Sequence, residues 1–177
     1  MQDVLLVVDM QKDFVDGSLG TPEAVSIVPG LVRKMKEFEG PVLFTQDTHE
    51  TDYLETQEGR FLPVEHCIRG TEGWAIVPEI AEARSGPVIE KNTFGSKDLI
   101  GVLKEMDEKE AIRSITLAGL CTDICVISNA LLIKAYMPEV EIRVDASCSA
   151  GVTPESHRTA LDAMRTCQIR ILEEGGD

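Results

Sequence analysis

Basic residues are scarce in this chain, and the scarcity excludes several classes of partner. Lysine and arginine number 17 against 31 aspartates and glutamates, a formal charge of −14 over 177 residues. Such a surface repels phosphate backbones and anionic membranes, which argues against a nucleic-acid binder. Long hydrophobic runs are missing too, since every apolar run falls far below the ~20 residues that span a bilayer. The N-terminus carries no basic leader or cleavage pattern and runs straight into Val4-Leu5-Leu6-Val7-Val8, so no export signal is expected. Five cysteines (Cys67, Cys121, Cys125, Cys148, Cys167) form no short-range framework and fit reduced thiols in a cytoplasm. No Gly-x-Gly-x-x-Gly fingerprint follows the first apolar run; Gly17, Ser18 and Gly20 read as a loop, which rejects a dinucleotide dehydrogenase. Repeats, low-complexity tracts and linkers are absent as well, so residues 1–177 read as a single domain.

What is present is a strand–helix rhythm. Short runs rich in Val, Ile and Leu occur at Val4–Val8, Pro41–Thr45, Pro87–Glu90, Ser114–Ala118, Val140–Val144 and Ile169–Leu172. Most are continuous rather than alternating, as expected of strands buried on both faces of a parallel sheet. Helical stretches lie between them at Glu23–Glu39, Ile76–Ala83, Lys97–Asp107, Thr122–Tyr136 and Pro154–Thr166. Pro22 suits a first helical position, and Thr153-Pro154 reads as a capping residue followed by Pro at the first position. Gly40-Pro41 and Gly86-Pro87 each close a helical region before a strand. With right-handed crossovers, the rhythm predicts a Rossmann-like three-layer α/β/α sandwich on a six-stranded parallel sheet. The one long irregular stretch, Asp47–Trp74, is read as functional.

Open parallel sheets build their sites at the carboxyl ends of the strands. That edge collects Asp9, then Asp47 and His49, then Lys91, then Cys121 and Cys125, and finally Asp145, for which a turn role is equally open. In Ala118-Gly119-Leu120-Cys121-Thr122-Asp123-Ile124-Cys125-Val126 a strand ends and a helix begins. A cysteine in a first helical turn lies near the positive end of the dipole, which favours a thiolate, and near free N–H groups that can hold an oxyanion. Asp9 is placed to accept its proton and Lys91 to stabilise developing charge. Spacing alone equally allows a buried core cysteine. Asp47-Thr48-His49 puts a carboxylate and an imidazole on one side of an extended segment, and His66 follows in the same loop. Oxygen and nitrogen donors suit zinc, iron or manganese, although solvated loop residues would read the same way. His157 is assigned to a surface or outer layer away from the strand ends, and Cys148 and Cys167 to small buried positions beside the last helix.

Three segments together resemble the isochorismatase-like cysteine hydrolases, and within them the nicotinamidases, over essentially the whole chain. They are Val7-Val8-Asp9-Met10-Gln11-Lys12-Asp13-Phe14, Val88-Ile89-Glu90-Lys91-Asn92-Thr93-Phe94 and Gly119-Leu120-Cys121-Thr122-Asp123-Ile124-Cys125-Val126. The resemblance implies that Asp9, Lys91 and Cys125 form the catalytic set. It also implies a cis peptide at Leu120–Cys121 and an oxyanion hole made by the amides of Cys121 and Cys125. Cys121 stands where the family usually has a small residue, and a passive role is preferred over a disulfide with Cys125. The resemblance further implies a divalent metal, zinc first with iron or manganese as alternatives, on Asp47, His49 and His66. Glu58 is the best-placed fourth ligand among the competing Glu50, Glu55 and Glu65. Phe14, Trp74 and Leu120 are assigned to the substrate pocket; Trp74 could equally seed a helix, and Phe94 could line the pocket or pack beneath it. Thr48 and Asn92–Ser96 depart from the common nicotinamidase pattern.

The implied activity is a metal-assisted cysteine amidohydrolase of small amides, nicotinamide first, working through a thioester in NAD salvage. The alternatives are another amide, ureido or carbamoyl substrate, or a catalytically silent member. A cytoplasmic homo-oligomer is expected.

Overall fold

The computed structural model describes residues 1–173; the last four residues of the expected 1–177 unit lie outside the described residues. Six strands form one sheet: β1 (Gln2–Val8), β2 (Val42–Asp47), β3 (Val88–Lys91), β4 (Ile112–Leu120), β5 (Glu141–Ala150) and β6 (Arg170–Leu172). Their spatial order is β3-β2-β1-β4-β5-β6, and every pairing is parallel. The helices are α1 (Lys12–Val15), α2 (Pro22–Glu37), α3 (Gln57–Phe61), α4 (Pro78–Ala83), α5 (Lys97–Lys109), α6 (Ile127–Tyr136) and α7 (Pro154–Thr166). Among the described residues no helix is long and apolar enough to cross a membrane.

The continuous apolar runs are explained by burial on both sides. In β1, Val4, Leu6 and Val8 enter one core with residues of α5, α6 and α7, while Leu5 and Val7 enter the other with residues of α2 and α4. Successive side chains of a strand point to opposite faces, so a central strand must be apolar throughout. On α2 the buried positions Ala24, Ile27, Val28, Leu31 and Met35 repeat at helical spacing. Thr21 Oγ1 accepts from the Ala24 amide at 3.0 Å, and Thr153 and Ser156 cap α7 reciprocally.

Three stretches differ from the sequence expectation. The fifth strand does not end at Val144 but continues to Ala150 through a bulge, where the register with β4 slips between Leu117 and Gly119. Asp145 holds that bulge: its Oδ1 accepts from the amides of Ser147 and Cys148 at 3.0 and 3.1 Å, and its Oδ2 pairs with Lys34 of α2 at 2.6 Å. The expected helix Thr122–Tyr136 starts instead as a wide π-turn, Thr122–Val126, in which the Cys121 carbonyl accepts from the Ile124 and Val126 amides. The stretch Asp47–Trp74 contains a 3-10 turn, Tyr53–Glu55, and α3.

The chain builds β1, β2 and β3 outward in one direction and then returns to place β4 on the other side of β1. The reversal opens a crevice at the carboxyl ends of β1 and β4, the place where such sheets bind ligands. Gly119, at φ +119°, lets β4 pass β1 there; a Cβ on it would lie 2.2 Å from the Val8 carbonyl oxygen.

Candidate active site

Asp9 follows β1 in a left-handed conformation, φ 47°, and is completely buried. Its Oδ1 accepts from Thr45 Oγ1 at 2.7 Å, and its Oδ2 lies 2.7 Å from Lys91 Nζ. Lys91 is the last residue of β3, so its side chain reaches the same crevice. Its ammonium also lies 3.1 Å from Asp47 Oδ1 and 3.4 Å from Cys125 Sγ. One cation therefore touches the acid, the thiol and a carboxylate of the neighbouring cluster. The peptide bond Leu120–Cys121 is cis.

The electrostatics follow from burial. Enclosure raises the Asp9 carboxyl, with Lys91 opposing. Enclosure would lower Lys91, but Asp9 first, and then Cys125 and Asp47, hold its ammonium charged. Enclosure and the adjacent Asp9 carboxylate push the Cys125 thiol well up, with Lys91 opposing. The sequence expectation of a thiolate favoured by the helix start meets an opposing effect here, since burial and the Asp9 carboxylate both favour the neutral thiol. Burial likewise pushes the Cys121 thiol up to about 12.

Beside this trio, Asp47, His49, Glu58 and His66 bring one potential ligand atom each within 4.8 Å of one another. His49 Nε2 lies 3.0 Å from Asp47 Oδ2 and 3.5 Å from Glu58 Oε1; His66 Nε2 lies 3.8 and 3.7 Å from the same atoms. These side chains fit a divalent metal. His66 Nδ1 pairs with the Val64 carbonyl at 2.8 Å, which assigns the proton to Nδ1 and leaves the Nε2 lone pair facing the cluster. His49 Nε2 is buried, and its 3.0 Å contact with Asp47 Oδ2 lacks hydrogen-bond geometry. A two-nitrogen, two-carboxylate donor set suits zinc, iron or manganese. Glu58, rather than Glu50, Glu55 or Glu65, is the glutamate in the cluster.

Local scaffolding explains how the cluster is held. The His49 and Ile68 segments pair as a short parallel bridge, with the His49 amide donating to the Cys67 carbonyl at 2.9 Å. Asp13 Oδ2 accepts from the Cys67 amide at 2.8 Å, which anchors the His66 segment to α1. Gln11, fully buried, clasps the Asp47 peptide from both sides: its Oε1 accepts from the amide at 2.7 Å and its Nε2 donates to the carbonyl at 2.8 Å. Tyr53 packs against both imidazoles, with ring centroids 4.7 Å from His49 and 4.9 Å from His66, and donates its hydroxyl to the Leu62 carbonyl at 2.9 Å. Gln11, Asp13, Tyr53 and Thr45 escape sequence reasoning, because each acts through contacts that exist only once the loops are folded.

Cys125 of the trio and Asp47, Glu58 and His66 of the cluster line one cavity of about 690 Å³, together with Cys121. Its outer wall is apolar: Phe14, Leu19, Phe61, Phe94, Ile124 and Val152. Phe14 and Phe94 lie on it, but Trp74 and Leu120 do not. Trp74 is turned beneath the loop, where its Nε1 donates to Thr48 Oγ1 at 2.9 Å and its carbonyl accepts from Gln11 and Gln46. Leu120 points into the core shared with α2. Three further placements are corrected. Asp145 sits within β5 rather than at the site edge, and of its two expected roles it takes the turn role, accepting from the amides of Ser147 and Cys148. His157 is not remote, since its Nδ1 pairs with Thr122 Oγ1 in the π-turn at 2.8 Å. Cys148 is buried, but Cys167 is exposed.

Comparison with known proteins adds independent findings. The sequence model described as the isochorismatase domain matches residues 3–173. An isochorismatase family protein of Bacillus subtilis is 32% identical, over 91% of this chain and 93% of its own length. The nicotinamidase of Schizosaccharomyces pombe is 25% identical, over 96% of this chain and 92% of its own. Among solved structures, the zinc complex of Pyrococcus horikoshii pyrazinamidase superposes with a TM-score of 0.79 at 26% identity, covering 98% of this chain and 99% of that one. The N-carbamoylsarcosine amidase of Thermoplasma acidophilum gives a TM-score of 0.79 at 25% identity, covering 99% and 98%.

Proposed function

The chain belongs to the isochorismatase family, and from that premise we propose that it is a metal-assisted cysteine amidohydrolase whose preferred substrate is nicotinamide. It is a hydrolase of amide C–N bonds, and the proposal concerns its substrate, its metal and its residues. The observation that carries the reading is the position of Lys91 Nζ, within 3.4 Å of Asp9, Cys125 and Asp47 alike. A nucleophile and a ring-docking cluster that share one cation also share one substrate. Asp47, His49, Glu58 and His66 would hold the ion, which supplies a Lewis-acidic contact for a ring nitrogen.

The remaining chemistry belongs to the protein. Asp9 takes the Cys125 proton as the sulfur attacks the carboxamide carbon. The amides of Cys121 and Cys125, with Lys91, hold the resulting oxyanion. Asp9 returns its proton to the leaving nitrogen, so ammonia departs and a thioester remains. Asp9 then takes a proton from water, the hydroxide attacks the thioester carbon, and the Cys125 sulfur leaves and recovers its proton. Burial and Asp9 both favour the neutral thiol, which suits an order in which the proton moves once substrate is in place. Phe14 and Phe94 offer flat faces for the ring.

The T. acidophilum likeness supports a second reading, a carbamoyl or ureido substrate on the same trio. Intact-mass analysis of protein quenched during turnover separates the two. The proposal expects a nicotinoyl adduct on wild-type protein that is absent from Cys125→Ala. Absence of that adduct, with a carbamoyl substrate consumed instead, would overturn the nicotinamide assignment.

A further inference from the structure

Asn129 belongs neither to the trio nor to the metal cluster, yet it is completely buried and joins two functional segments. It lies in the first turn of α6, four residues after Cys125. Its Nδ2 donates to the Cys125 carbonyl at 2.8 Å and to the Phe94 carbonyl at 3.1 Å. Its Oδ1 accepts from the Ser96 amide at 2.9 Å. Nitrogen faces two carbonyls and oxygen faces an N–H, so only one orientation of the carboxamide satisfies all three groups. The segment it grips directly follows Lys91, and Asn92, Thr93 and Phe94 line the cavity. Ser96 then caps α5 through its Oγ, which accepts from the Leu99 amide at 3.1 Å. Gly95 brings the two backbones together, since a Cβ on it would lie 3.2 Å from the Ser128 carbonyl oxygen.

We propose that Asn129 is a positioning residue that locks the Cys125 peptide and the Lys91–Ser96 wall into one unit, so that sulfur, ammonium and substrate wall keep a common register. The proposal rests on the cysteine-hydrolase reading, and its two ties have separable consequences. The tie to the Cys125 carbonyl sets the sulfur and governs kcat. The ties to Phe94 and Ser96 set the wall and govern KM.

Threonine at 129 retains the first tie alone. Its hydroxyl bonds back to the carbonyl four residues earlier, as threonine does in helices, and is too short to reach the loop. Valine has the same shape and no donor. The experiment compares wild type, Asn129→Thr and Asn129→Val. It measures melting temperature, alkylation of Cys125 by iodoacetamide at fixed pH, and kcat and KM with nicotinamide.

The expected result is an Asn129→Thr variant with kcat and alkylation rate within about threefold of wild type and KM raised about tenfold. Asn129→Val should lose about a hundredfold in kcat, the scale expected of a small misplacement, and shift the alkylation rate about fivefold or more. If Val fails to fold, Asn129→Ala takes its place with the same expectation. Equal kcat and alkylation in the Thr and Val (or Ala) variants, with only the melting temperature changed, would overturn the proposal. If wild type does not turn over nicotinamide, the substrate reading fails while the alkylation comparison still decides the role of Asn129.

Discussion

At the scale of single residues, the site is governed by one buried cation among acids. Removing one partner of such a group leaves uncompensated buried charge, which typically costs about 3–5 kcal/mol. Lys91→Met should therefore lower the denaturant midpoint strongly as well as abolish turnover. An unchanged midpoint would show that Asp9 and Asp47 are not relying on it. His157 gives a test in pH. Burial holds its imidazole below the ordinary value of 6.5, with Asp123 opposing. The unfolded chain then binds the proton more readily than the folded one, so this contribution to stability is complete above pH ~6.5 and is lost as pH falls below it. A His157→Gln variant should show a flatter stability profile below about pH 6.5 than wild type. Parallel profiles would remove the assignment. The positions of Asp9, Asp47, His49, Lys91 and Cys125 were legible because each follows an apolar run at a strand's carboxyl end, whereas His66 and the choice of Cys125 over Cys121 came from the family resemblance. Tyr53, Gln11 and Asn129 were not legible, since their contacts exist only once the loops are folded. Trp74 misled for the same reason: composition says that it is flat and apolar, but only the loop's path decides whether it faces a cavity or the chain beneath.

At the scale of elements, the alternation of apolar runs and helical stretches was enough to give the sheet, because a strand buried on both faces has little freedom of composition. The bulge in β5 was hidden by its polarity. Asp145, Ser147 and Ser149 read as the end of a strand until Asp145 is seen capping the amides of Ser147 and Cys148. The π-turn was equally hidden, because its residues are ordinary helix formers and only its hydrogen bonds distinguish it. Two predictions belong here. Burial would raise Asp145, but its bonds to Lys34 and Ser147 hold it below the usual carboxylate range. Its stabilisation is therefore present above the unfolded value and lost as pH falls through the folded one, and Lys34→Met should reduce that acid-side loss, as read by thermal melts from pH 5 downward. No difference between the variant and wild type would contradict the pin between α2 and β5. Gly119→Ala places a Cβ 2.2 Å from the Val8 carbonyl oxygen at a positive φ. It should separate the ends of β1 and β4, giving a large destabilisation and a site that no longer loads metal, measured by melting and metal content. A folded variant with normal metal content would contradict the packing described.

At the scale of the whole molecule, a charge of −14 favours approaching cations and repels the anionic product of an amide hydrolysis. Metal uptake by apo-protein should slow steeply as salt rises through the range where the Debye length shrinks from about 30 to 10 Å. Uptake indifferent to salt would show that the net charge does not steer the metal to the site. The topology serves the same end, since the reversal at β1 puts Asp9, Lys91 and Cys125, from three separate strand ends, on one crevice beside the Asp47, His49, Glu58 and His66 cluster. The most direct test of the account is ammonia release from nicotinamide by metal-replete protein, with Cys125→Ala alongside. The account predicts steady release by wild type and none above background from the variant. Wild-type protein with its metal in place and Cys125 reactive, yet releasing no ammonia, would contradict it.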